Sequence, residues 1–161
     1  MTDSALYLDS LPVRCRVYGL SAMQSDSNGH EEVERILVGD RPFRVQLTLD
    51  FLGNSAIALL MLEPMLFVEV LVKPAGMGDK VELGAIHQTL TPEQLTYAPV
   101  LDLESPIHYG LDAGLYHLSA MVRIGAENGP ALLCGSVKGP TIEVFSPSPP
   151  QTKQKSTKRR R

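Results

Sequence analysis

A chain of 161 residues and 17.6 kDa, 43% hydrophobic and without tryptophan, is the size of one domain whose core needs no metal or disulfide staple. Residues 1–146 carry nine Lys/Arg against eighteen Asp/Glu, a net −9, whereas residues 147–161 carry six basic residues and no acidic one, so the total of −3 joins two unlike parts. The acidic body is a poor nonspecific platform for nucleic acid, and Cys15 and Cys134 are too few for a disulfide-dense secreted scaffold. They read as two reduced, packed thiols.

The opening MTDSALYLDSLPVR lacks a basic segment followed by a continuous apolar one, so no signal peptide is expected and cytoplasmic residence is the default expectation. VRCRVY at 13–18 predicts a strand, SAMQSDSNGHEE at 21–32 a flexible polar insert, and VERILV at 33–38 a second strand. In FRVQLTLDF, Phe43, Val45, Leu47, Leu49 and Phe51 share one parity, the pattern of a half-buried strand. Gly53 and Asn54 permit a reversal into AIALLML at 56–62, whose nearly continuous apolar run predicts an interior strand. Glu63, Pro64 and Glu69 interrupt the apolar stretch 56–72, which favours two strands over a membrane span. The second of them, MLFVEVLVK, turns Leu66, Val68, Val70 and Val72 inward.

PAGMGDK reverses the chain before VELGAIHQ, where Val81, Leu83 and Ala85 continue the alternation. TPEQ at 91–94 predicts a short helical turn with Thr91 as N-cap, and short strands follow at 95–97 and 101–103. LYHLSAMVRIG places Tyr116, Leu118, Ala120, Val122 and Ile124 on one face; AENGP turns the chain into ALLCGSV, and Gly139-Pro140 opens a final strand, TIEVF. With eight or nine strands and no long amphipathic helix, the expected fold is an all-β, antiparallel two-sheet β-sandwich over 5–146. The following PSPPQTKQKSTKRRR predicts a disordered basic tail at 147–161.

The segment LDAGLYHL at 111–118 resembles the D-x-G/A-x-Y approach to the penultimate strand of immunoglobulin-like domains. The resemblance implies a tyrosine corner, in which Asp112 and Gly114 shape the turn and the Tyr116 hydroxyl meets an upstream backbone group. Leu118 stands where the antibody-type pattern has cysteine, and no tryptophan is present to fill the core. The similarity is therefore to the broader sandwich superfamily, and it implies no catalytic or binding residue.

Chemistry is sparsely marked. His30, His87, His108 and His117 lie in no metal-ligand motif, although His108, Asp112 and His117 are close enough in sequence to be weighed as ligands. Ser119 is not in a nucleophile elbow, Asp102 and Glu104 read as a solvated acidic edge, and GMGDK at 76–80 lacks the spacing of a phosphate loop. No catalytic, cofactor or metal site is expected. The expected function is a noncatalytic protein-interaction or structural module that contacts an unidentified partner through an edge strand or a face bearing Leu115 and Met121, with homo-oligomerisation open. Lys153, Lys155, Lys158, Arg159, Arg160 and Arg161 are the expected contacts to nucleic acid, an acidic protein or an anionic surface. The alternatives are a carbohydrate-binding module and, behind it, a small hydrolytic enzyme.

Overall fold

The computed structural model describes residues 5–10, 13–25, 28–33 and 35–147. In chain order the described elements are β1 (Leu6–Ser10), β2 (Val13–Ser25), β3 (Glu31–Val33), β4 (Ile36–Val38), β5 (Phe43–Leu52), a one-turn helix α1 (Ala56–Leu60), β6 (Met65–Pro74), β7 (Val81–Thr89), β8 (Thr96–Tyr97), β9 (Val100–Leu103), a 3₁₀ turn (Pro106–Tyr109), β10 (Gly114–Gly125) and β11 (Ala131–Phe145). One sheet runs β1-β2-β5-β8, with β3 on β2 and β9 on β5; the other runs β4-β11-β10-β6-β7. All pairings are antiparallel except β4 with β11, which is parallel. The fold is thus the expected all-β sandwich.

Alternation builds the core. β5 buries Phe43, Val45, Leu47, Leu49 and Phe51, β6 buries Leu66, Val68, Val70 and Val72, and β10 buries Tyr116, Leu118, Ala120, Val122 and Ile124. Each set points at the facing sheet, so the apolar halves of both sheets leave water together.

Three strands change parity midway, and each does so at a bulge near a glycine. β2 buries Val13, Cys15 and Val17, then Leu20, Ala22 and Gln24, because its register to β5 shifts between Tyr18 and Ser21, where Gly19 has φ +68°. β11 buries Leu133 and Val137, then Ile142 and Val144, across a shift opposite His117/Ser119. Gly139 lies at that bend, where an added Cβ would stand 3.0 Å from Leu20 and 3.3 Å from the Leu118 carbonyl. In β7 the extra residue at Leu83 brings Ile86, rather than the expected Ala85, into contact with the core.

The fold departs from several expectations. Most of the described residues of the supposed flexible insert 21–32 lie in strands: residues 21–25 complete β2, and Glu31–Val33 pair back onto Met23–Ser25. Residues 33–38 are two strands in different sheets, and 131–145 is one bent strand rather than two. The predicted strand at 56–62 is instead α1 with the turn after it. Ala56 and Leu60, four residues apart, are its buried positions, while Glu63 at φ +47° and Pro64 end it. Residues 91–94 form a hydrogen-bonded turn, Gln94 N–H to the Thr91 carbonyl at 3.5 Å, without becoming a helix.

One buried polar side chain fastens the loop between β4 and β5. Gln24 accepts from Val38 N–H at 2.8 Å through Oε1 and donates from Nε2 to the Val38 and Arg41 carbonyls, both at 3.1 Å. It satisfies backbone groups that have no strand partner there, as burial requires.

Candidate functional site

The end of the sandwich that carries α1 includes the connections β5–β6, β7–β8 and β10–β11, and beside them the paired ends of β1 and β2, where Ser10 stands opposite Val13 and Arg14 opposite Leu52. Tyr97 holds the middle one: its hydroxyl accepts from Thr91 N–H and donates to the Thr91 carbonyl, each at 2.8 Å, while its ring meets Phe51 edge-on. Leu90 N–H donates to the Pro64 carbonyl at 2.9 Å, tying that loop to the one after α1. Arg123 donates to the Gly129 carbonyl and braces the third turn.

On this braced end α1 exposes apolar side chains. With Ala56 and Leu60 turned inward, helical geometry leaves Ile57, Met61 and Leu62 outside, 53%, 68% and 72% exposed. Beside them a groove of about 280 Å³ runs between α1 and the strand ends, lined by Val13, Leu59, Leu62, Leu132 and Leu133, with Ala58 and the polar Ser55 completing it. The three loops contain Glu63, Glu93 and Glu127 and no lysine or arginine. The Glu93 carboxyl sits below the usual carboxylate range because the Thr91 hydroxyl and its own backbone amide donate to it.

Leu115 and Met121 are exposed, as the candidate interface required, but they are dispersed over the outer sheet face: Met121 stands opposite Glu69, and Leu115 opposite Glu143. The α1 end is the more contiguous apolar surface. Reading 56–62 as a buried strand concealed it; Pro64 and the alanine and leucine content of the run were the available signals for a helix.

The corner residues meet as a local unit. The Tyr116 hydroxyl donates to the Asp112 carbonyl at 2.9 Å and the ring is buried. Burial and the nearby Asp112 charge raise the phenol's pKa, a rise the Asp112 hydrogen bond opposes. Gly114 opens β10 without positive φ, and an added Cβ would meet only the Tyr116 ring at 3.9 Å.

The remaining candidates are scattered. His117 Nδ1 lies 3.0 Å from Thr141 Oγ1, His108 meets the Tyr109 ring, and His87 meets Phe67. Among the described residues no three His, Cys, Asp or Glu side chains gather as a metal site. Asp102 forms an ion pair with Arg44 at 2.5 Å, while Glu104 N–H donates to the Tyr109 hydroxyl at 3.3 Å. Cys15 faces the core, and burial followed by the Asp50 charge pushes its thiol up to about 12. Cys134 is exposed, which corrects the expectation of two packed thiols. Phe43, Phe51, Tyr97 and Tyr116 are spent on the core rather than on an aromatic platform for sugar. Lys153, Lys155, Lys158, Arg159, Arg160 and Arg161 lie outside the described residues.

The strand order defines the class. β2, β5 and β9 in one sheet occupy the places of strands A, B and E, while β11, β10, β6 and β7 occupy those of G, F, C and C′. The sandwich is immunoglobulin-like, with the corner tyrosine at the start of the F-strand equivalent. No protein-family model and no curated protein sequence matches the chain. Among solved structures it is similar to an immunoglobulin-like protein from Pseudomonas aeruginosa, at 14% identity and a TM-score of 0.36, covering 86% of this chain and 94% of that one. The fold assignment rests on strand order and not on this likeness. No helix among the described residues is long and apolar enough to cross a membrane.

Proposed function

We propose that the chain is a noncatalytic protein-interaction module that receives its partner at the α1 end, with residues 147–161 as a basic tether for an anionic partner. The observation that carries this reading is the exposure of Ile57, Met61 and Leu62 beside an apolar groove on a braced end of the sandwich. Apolar surface of this kind marks contact sites. Glu63, Glu93 and Glu127 in the loops of that end favour a partner that brings positive charge to an apolar anchor.

The test compares the full chain with Met61→Asp, Leu62→Asp and Met121→Asp in capture from the native cell followed by binding to the purified partner. All three side chains are exposed, so folding and melting temperature stay close to those of the parent. The expected result is loss of binding in the first two variants and retention in the third. Unchanged binding by Leu62→Asp, selective binding of a glycan without a protein partner, or substrate turnover by pure protein would overturn the reading.

A further inference from the structure

We propose that the partner received at the α1 end is the basic tail of a second copy of this chain, so that copies join head to tail. The inference rests on the α1 end being the contact surface and names its occupant. The two surfaces match in chemistry. The three loops contribute Glu63, Glu93 and Glu127 and no lysine or arginine, the groove lining carries no charge, and the two arginines of that end are engaged elsewhere, Arg123 on the Gly129 carbonyl and Arg14, next to Val13, over the Tyr7 ring. Residues 147–161 begin with the prolines of PSPP, whose rings suit an uncharged apolar groove, and continue into Lys153, Lys155, Lys158 and Arg159–Arg161, which suit the carboxylates.

Reach makes the contact intermolecular. Leu133 lines the groove at the start of β11, and Phe145 closes that strand at the opposite end. The twelve steps between them span at most roughly 40 Å at the usual rise of a strand, somewhat less because β11 bends at Gly139. Pro150 lies five residues beyond Phe145 and extends at most about 18 Å from it, so the prolines cannot enter their own copy's groove. Of the basic residues, Lys158 to Arg161 lie thirteen to sixteen residues beyond Phe145 and have the length to get there only with the prolines left outside the groove. A second copy meets neither restriction. Facing two α1 ends together would instead oppose the carboxylates of Glu63 and Glu127 across the contact, which disfavours a symmetric pair. A head-to-tail contact that does not close builds open chains of copies.

Complementation of full-length variants, followed by sedimentation velocity, tests this. One variant carries Gln at all six basic tail positions and keeps an intact groove; the other is Leu62→Asp, with an intact tail. The parent chain is expected to grow in mass with concentration, each variant alone to remain monomeric, and their mixture to form a 1:1 complex and nothing longer. Raising salt from about 0.05 to about 0.5 M should weaken the association at least roughly tenfold, because its force is screened charge attraction. A monomeric parent at all concentrations, a mixture that stays monomeric, or self-association of the Gln variant equal to the parent's would overturn the proposal. If Leu62→Asp alone loses binding to a captured partner while the Gln variant keeps it, the α1 surface stands and the tail is removed as its occupant. If neither variant loses binding, both readings fall.

Discussion

Replacing Gln24 with Leu tests how the sandwich holds the loop between β4 and β5. The substitution keeps the side chain's approximate bulk but removes an amide that accepts from Val38 N–H and donates to the Val38 and Arg41 carbonyls at 2.8, 3.1 and 3.1 Å. Each such bond is worth about 0.5–1.5 kcal/mol net, and a backbone group left dry and unpaired costs about 1–3 kcal/mol. With Gln24 only 6% exposed, water replaces these bonds poorly, and the expected loss is about 3 kcal/mol. In a chain of this size that corresponds to a fall of roughly 6–12 °C in melting temperature. Urea unfolding gives the free energy, and hydrogen exchange at the Val38 amide gives the local consequence: protection there falls further than at Leu49 in β5. A loss below about 0.5 kcal/mol, the range of an ordinary surface substitution, together with unchanged Val38 protection, would refute the role assigned to Gln24.

Tyr116→Phe removes the bond to the Asp112 carbonyl while keeping the ring in place, and chemical denaturation should register a loss of about 0.5–1.5 kcal/mol. Gly139→Ala forces a methyl against Leu20 and the Leu118 carbonyl, and thermal unfolding should show a cost of about 1–3 kcal/mol typical of overpacking. Native protein treated with a thiol reagent at neutral pH should label once, at Cys134, and twice after unfolding; two native labels would contradict the burial of Cys15. Because the folded Cys15 thiol ionises near 12 and its ordinary value is 9.0, the unfolded state releases its proton first as pH rises. The stability advantage of the parent over Cys15→Ala should therefore hold below about pH 9 and shrink between about 9 and 12, measured by urea unfolding across that range.

The parts of the fold legible from sequence were those where alternation runs unbroken. Phe43–Phe51, Leu66–Val72 and Tyr116–Ile124 each keep one parity from end to end, so period two alone reveals which side faces the core. β2 and β11 lose that signal at Gly19 and Gly139. A one-residue bulge there reverses the parity, and a broken pattern reads as the end of a strand even though the ladder continues. Gln24 was hidden for the same reason: its polar side chain matched a flexible insert, and only the folded loop at 38–42 supplies its backbone partners. At 56–62 the apolar run fits a buried strand or one turn of helix equally well, and its exposure depends on which neighbours cover it. The contact surface was consequently less legible than the sheet frame that presents it.

Site-specific photocross-linking in the living cell tests the interaction reading most directly. A photoreactive residue is placed at position 62 in one full-length chain and at position 121 in another, and the products are identified by mass spectrometry. Contact through the α1 end predicts a defined protein–protein adduct from position 62, lost when Met61→Asp is added, and no matching adduct from position 121. An adduct formed from position 121 but not from 62 would contradict the assignment of the α1 end as the contact surface.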